Sequence, residues 1–369
     1  MTGRPGARGP ALRRLPLLAL GFVALIVGVL SGLARQGWTV PDAAASAAGL
    51  HGPLMVCGFF GVVIALERAV AIGRAWAYLG PLAAGIGTLA VLAAGSGMGA
   101  WLHAGGALVL AAGTADVFRR QRALFTFTLL VGALAYVAGC LWWALGGAVH
   151  EAIGWWLAFL VLTIAGERLE LSRFRPPSPA AARLFALLLA AMVAALAAGF
   201  LDEAAAWRGR LLAAALVGLA GWLLKQDIAR RTVRSRGLTR FIAVCLLSGY
   251  FWLAVGGAVM FVAGGLQLGS ASYDAALHAL LVGFVFSMVF GHAPIIFPAV
   301  LRVAVPYSPG FYLPLALLHA SLALRVAGDL AGDPGWQRAG GLLNAIALAA
   351  FIIGTAAAVA RGSKARAAA

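Results

Sequence analysis

The chain has 369 residues, 63% hydrophobic and only 11% charged, with a mean hydropathy of +0.95. A soluble domain carries about 25% charged residues, so the composition excludes one and defines a polytopic membrane protein. The formal net charge of +16 does not indicate nucleic acid, because the basic residues sit in short clusters between apolar runs, the footprint of membrane topology.

Apolar runs of about twenty residues, the length that spans a bilayer as a helix, fall near 15–34, 50–72, 76–94, 97–116, 123–146, 150–172, 180–200, 206–224, 240–265, 276–300, 311–331 and 338–360. The expected fold is all-α, about twelve transmembrane helices in a single transmembrane domain over 1–369. Arg13-Arg14 precedes the first run and is similar to a twin-arginine export signal. That run is long enough to span, and no small-residue cleavage site follows it directly, so it reads as a retained first helix. The loops leave no room for a separate soluble domain. The longest polar stretch, 225–240, reads as a basic topology anchor beside anionic lipid. The 48 glycines, with many alanines, let such helices approach closely. Cys57, Cys140 and Cys245 fall inside apolar runs without any CxxC or CxxCH, so a zinc ribbon, a covalent c-type haem and a structural disulfide are not expected.

With a cytoplasmic N-terminus, the cytoplasmic side receives Arg4, Arg8, Arg13 and Arg14; Arg68 and Arg74; Arg119, Arg120 and Arg122; and Arg168, Arg173, Arg175 and Arg183. It also receives Lys225, Arg230, Arg231, Arg234, Arg236 and Arg240; Arg302; and Arg361, Lys364 and Arg366. These are 23 of the 28 basic residues. Only Arg35, Arg208, Arg210, Arg325 and Arg338 face the other way. The bias predicts a multi-pass cell-membrane protein with both termini cytoplasmic.

Two segments repeat. "IALERAVAIGR" (64–74) and "IAGERLELSRF" (164–174) each place Glu-Arg at the cytoplasmic end of a helix, as Glu67-Arg68 and Glu167-Arg168. Sixteen residues earlier stand His51 and Glu151, the latter beside His150. The tenth run begins with His278. Helices two, six and ten thus each open with a titratable residue at the outer face. The pattern predicts three pseudo-repeated four-helix units, about 15–116, 123–224 and 240–360. The Glu-Arg pairs are expected to fix helix ends, with Arg snorkelling to lipid headgroups.

All six histidines lie in or at the ends of membrane helices, where ionisable residues are functional candidates. His51 and His278 begin parallel helices at similar depth. Two neutral imidazoles there suit a haem iron held axially; the alternative is interfacial rings bonded to water or headgroups. On the haem reading, Gly58, Gly61 and Gly283 let backbone recede from a flat macrocycle, and Phe59, Phe60, Phe284 and Phe286 pack on it. Adding His150 gives a tri-histidine zinc or copper site, with Glu151 beside it. His103 reads as a packing histidine. His292 lies fourteen residues after His278, about 21 Å further along and within about 40° of the same helix face. It pairs in depth with His319, as a second ligand pair or a proton relay. Pro294 and Pro298 are expected to kink that helix and free carbonyls that His292 could bond instead.

"HGPLMVCGFFG" (51–61) and "HALLVGFVFSMVFGH" (278–292) carry a resemblance. In layout the chain resembles subunit I of the haem–copper oxidases, and still more the related NnrS-type membrane proteins implicated in nitric-oxide metabolism. The resemblance implies a haem b, with His51 and His278 in the places of the low-spin ligands. It does not extend to an oxygen-reducing binuclear centre. Helix seven has no histidine, helix ten lacks His-x-His, and helix six lacks His-x-x-x-Tyr. The expected partners are membrane lipid and a redox partner or small gas. A secondary transporter built on repeats is the rival expectation, as is an assembly factor for metal or haem insertion.

Overall fold

The computed structural model describes residues 14–172, 176–200 and 206–368. Among these, twelve helices are long and apolar enough to cross a membrane, and no strand is present. They are α1 (Leu15–Arg35), α2 (Ala48–Ile72), α3 (Ala75–Ala94), α4 (Ser96–Arg120), α5 (Leu124–Ala144) and α6 (Val149–Leu171). The others are α7 (Pro179–Ala197), α8 (Trp207–Gln226), α9 (Gly237–Ala263), α10 (Ala271–Leu301), α11 (Pro309–Ala331) and α12 (Pro334–Ser363). The chain is an all-α, multi-pass membrane protein, as its composition predicts. Arg4, Arg8, Arg13, Arg173 and Arg175 of the charge pattern lie outside the described residues.

Two helices begin earlier than their apolar residues indicate, because polar caps extend them. Ser270 Oγ accepts the Tyr273 N–H at 3.1 Å, satisfying a donor that the first turn of α10 leaves open. Asp333 accepts the Trp336 N–H at 3.0 Å, and Pro334 stands at the first helical position of α12, where it costs no hydrogen bond.

Neither α2 nor α10 is uniform. In α2 a 3₁₀ turn (Ala48–Leu50) and an α turn (His51–Pro53) lead into a π-helical stretch, Leu54–Phe60, before α geometry resumes at Gly61–Ile72. In α10 the α turns Ala271–His278 lead into a π stretch, Ala279–Phe286, followed by α geometry over Ser287–Leu301. The last segment stays helical through both Pro294 and Pro298.

Contacts gather the chain into two compact units. Unit 1 holds Met1–Gly166 and Ile295–Ala304, and unit 2 holds Glu167–Pro294 and Val305–Ala369. The borders fall within α6 and α10.

In unit 1, α2 lies close against α1 and α3. A Cβ at Gly58 would stand 2.6 Å from Ala24 Cβ and 2.9 Å from Thr88 Oγ1, so only hydrogen allows that approach. The start of α1 is tied to the end of α10, where Arg14 donates to the Val300 carbonyl at 2.7 Å and Leu18, Leu66 and Val300 form a buried cluster. In unit 2, α9 is the hub. A Cβ at Gly256 would stand 2.6 Å from Leu280 of α10, and one at Gly257 would stand 2.9 Å from Val217 of α8. A buried hydrogen bond from Ser321 Oγ to Asn344 Oδ1, at 2.6 Å, joins α11 to α12.

Gly58→Leu overfills the α1–α2–α3 contact and should cost about 1–3 kcal/mol, read as a lower midpoint in thermal unfolding of the detergent-purified protein by tryptophan fluorescence. Gly105→Ala, where nothing stands within 4 Å of an added Cβ, should leave the midpoint unchanged or slightly raised. Equal midpoints for Gly58→Leu and the parent would refute the packing role.

Candidate functional site

His51 is half-buried at the start of α2. Its Nδ1 hydrogen-bonds to the carbonyl of Gly28 on α1 at 2.7 Å. A carbonyl only accepts, so Nδ1 carries the proton and, in the neutral ring, Nε2 carries the lone pair. The ring rests on Gly32, where a Cβ would stand 2.8 Å from Cε1 and 2.9 Å from Nδ1. Gly28 and Gly32 are one turn apart and form a small-xxx-small groove that seats the imidazole. The stretch "GVLSG" (28–32) carries this signal in the sequence.

His278, in unit 2, is also half-buried. Its Nδ1 donates to the carbonyl of Asp274, one turn earlier, at 2.7 Å. Both rings therefore hold the same tautomer, with Nε2 as the basic nitrogen. Metal-binding histidines are commonly held this way, with the second nitrogen tied to a carbonyl or carboxylate that orients the ring and raises its basicity. Each is followed within a turn by a π-helical stretch, a rare form that is frequent at functional sites.

The glycines expected to make room for a macrocycle are filled by protein. Gly58 faces Ala24 and Thr88, Gly61 faces the Tyr136 hydroxyl, and Gly283 faces the Trp252 ring and Leu322. The phenylalanines pack on neighbours as well: Phe59 lies 4.9 Å from Phe60 and 6.0 Å from Phe22, and Phe284 lies 6.4 Å from Tyr250. The donor chemistry of His51 and His278 suits haem iron, whereas these glycines do not provide its recess.

Among the described residues, no group of three or more His, Cys, Asp or Glu side chains is placed to hold a metal ion. His150 is exposed. Glu151 instead closes the turn before α6, accepting from Trp142 Nε1 at 2.9 Å and from the Ala148 N–H at 2.8 Å.

His292 turns Nδ1 to the carbonyl of Met288 at 2.7 Å. His319 does the reverse: its Nδ1 accepts from Trp252 Nε1 at 3.0 Å, leaving the proton on Nε2, which is buried without a hydrogen-bond partner. The two hold opposite tautomers and no hydrogen bond links them, so the expected pair is not joined into a relay. His103 is buried against Trp143, ring centroids 5.9 Å apart. It packs as expected, but its Nδ1 lacks a hydrogen-bond partner.

Arg168 does not snorkel to lipid. It is buried and forms a two-pronged pair with Asp227, Nε to Oδ2 at 2.6 Å and Nη2 to Oδ1 at 3.0 Å. Tyr250 donates to Oδ2 at 2.7 Å and the Ala229 N–H donates to Oδ1 at 2.8 Å. Burial alone would raise the Asp227 carboxyl, but the Arg168 guanidinium, the Tyr250 hydroxyl and the Ala229 amide hold it below the usual carboxylate value. Glu67, Arg68 and Glu167 are half-buried, so the two repeated Glu-Arg pairs end in different surroundings. Asp227 carries no signal in the sequence, because it sits in a basic stretch with the composition of a topology anchor. A second buried pair, Arg325 Nε to Asp329 Oδ2 at 3.4 Å, lies within α11.

Fold and sites together define a multi-pass α-helical membrane protein whose titratable residues are set into its helices. The chain belongs to the family described as domain of unknown function (DUF8744), whose model matches residues 14–360. Neither curated proteins nor solved structures give a match.

Asp227→Ala strands a buried guanidinium and should cost about 3–5 kcal/mol, measured by thermal unfolding of the purified protein. The carboxylate's folded value lies below the unfolded value of about 3.9. Its contribution is therefore complete above that pH and is lost as pH falls through the depressed folded value. The parent should lose this part of its stability below about pH 4, and Asp227→Asn should lack that component. A parent and an Asn variant with identical acid profiles would refute the assignment.

Proposed function

We propose that this chain is a haem-binding integral membrane protein, with His51 and His278 each an imidazole ligand to b-type haem and a redox or nitric-oxide-related role. The observation that carries the reading is the common state of the two rings. Each has Nδ1 tied to a backbone carbonyl at 2.7 Å, Nε2 basic, and a π-helical stretch that begins within one turn after it. The likeness of the segments around both residues to NnrS-type proteins supports the same two ligands. When bound, haem iron held by two imidazoles would supply one-electron chemistry.

The chain's own residues do the positioning. The Gly28 and Asp274 carbonyls orient the rings and raise the basicity of Nε2. The proposed role does not include dioxygen reduction, since the sequence lacks the histidine patterns of a binuclear centre. We also infer, from the distribution of Lys and Arg, a bacterial-type inner-membrane location with both termini cytoplasmic.

Protein expressed with ample haem and purified in detergent should give a b-type reduced-minus-oxidised spectrum and a positive pyridine haemochrome. His51→Ala and His278→Ala should each abolish the low-spin absorbance. A haem-free preparation sinks the proposal, and full low-spin signal in both variants overturns the ligand choice.

A further inference from the structure

Unit 1 holds a pair of nucleophiles that the haem reading does not use. Cys57 of α2 and Cys140 of α5 are both fully buried, and their Sγ atoms stand 3.8 Å apart. Both are free thiols, in contact but well outside the bond length of about 2.05 Å for a disulfide. They are 83 positions apart in the chain, so only the fold reveals the pair.

Two features hold the sulfurs at one level. Tyr136, one turn before Cys140 on α5, donates its hydroxyl to the Cys57 carbonyl at 3.3 Å. Its ring is stacked on Phe159 of α6, centroids 4.3 Å apart. The backbone of Cys57 is thereby tied to the helix that carries Cys140. Cys57 itself lies within the π stretch Leu54–Phe60, a geometry that occurs mostly as short insertions in α-helices.

We propose that Cys57 and Cys140 are a redox-active dithiol that closes to a reversible disulfide under a small neutral oxidant of the peroxide class. Charge decides for this product over a metal bis-thiolate. Dithiol and disulfide are both neutral, so the conversion leaves no ion in an apolar interior, where an isolated charge is costly. The atoms balance in two steps. One thiol sulfur attacks a peroxide oxygen; the O–O bond breaks, an S–O bond forms, and a water leaves with the thiol proton. The second sulfur then attacks this sulfenic acid; an S–S bond forms, the S–O bond breaks, and a second water leaves. Two electrons pass from sulfur to the peroxide, and a dithiol reductant reverses the change. The product would tie α2 to α5 six residues beyond His51.

The test uses full-length protein in detergent, treated with hydrogen peroxide, unfolded in SDS and labelled with a maleimide-polyethylene glycol. The reduced protein should take three labels, at Cys57, Cys140 and Cys245, and the oxidised protein one. Dithiothreitol should restore all three. Mass spectrometry should find one peptide pair joined through Cys57 and Cys140, two hydrogens lighter than the sum. Cys245→Ala should fall from two labels to none. Retention of three labels, loss of labels without the joined peptide, or loss of both remaining labels in Cys140→Ala would each overturn the proposal.

Discussion

A peptide group that crosses hydrocarbon has no water to bond, so its hydrogen bonds must be met inside the protein. That constraint makes the chain all-helical, and it also governs the polar side chains. Thr88, Thr114, Thr128, Ser248 and Ser287 each return their hydroxyl to a carbonyl one turn earlier in their own helix. His278 and His292 obey the same rule, with Nδ1 on the carbonyls of Asp274 and Met288. His51 departs from it. Its carbonyl belongs to a different helix, α1, and reaching it requires the helices to be close. The glycine groove on α1 supplies that closeness, so packing and the state of the ring are one problem solved by the same two residues.

Charges face the constraint more severely. Asp227 meets it by using both oxygens twice, with two contacts from Arg168, one from Tyr250 and one from the Ala229 amide. A network with every member satisfied holds its geometry, where a half-satisfied one would cost more than an apolar core. The pair links the end of α6 to the turn after α8, within unit 2. The basic stretch that follows Asp227 has the composition of a lipid-facing anchor, yet it begins with the carboxylate that holds this interior junction.

The helix count was legible in the sequence because bilayer thickness imposes a length on apolar runs. The starts of α10 and α12 were not, since the caps that extend them, Ser270 and Asp333, are polar residues outside those runs. Histidine positions could be read directly, but their partners could not, because Gly28 and Asp274 contribute backbone oxygens that any residue carries. Glycine marks close approach without saying what approaches. Gly58, Gly61 and Gly283 were expected to face a macrocycle and instead receive Ala24, Thr88, Tyr136 and Trp252. The Arg168–Asp227 pair spans 59 positions with no motif connecting them, and Cys57–Cys140 spans more.

Tautomer state sorts the histidines more sharply than position does. A ligand needs a lone-pair nitrogen and a second nitrogen fixed by a hydrogen bond. His319 has the second condition reversed, because Trp252 occupies Nδ1 and the proton stays on Nε2. His103 has no partner at Nδ1 to set its ring. His51, His278 and His292 all keep the proton on Nδ1 through a bond of 2.7 Å, so hydrogen bonding alone does not separate them. Their helices do. His292 sits in regular α geometry, where a side chain's direction follows from its place on the helix face. His51 and His278 sit at transitions into π geometry, which adds a residue to the turn and shifts the register of everything after it. A helix can then present one face for ligation before the transition and another for packing beyond it, and among the described residues α2 and α10 are the helices with such a transition.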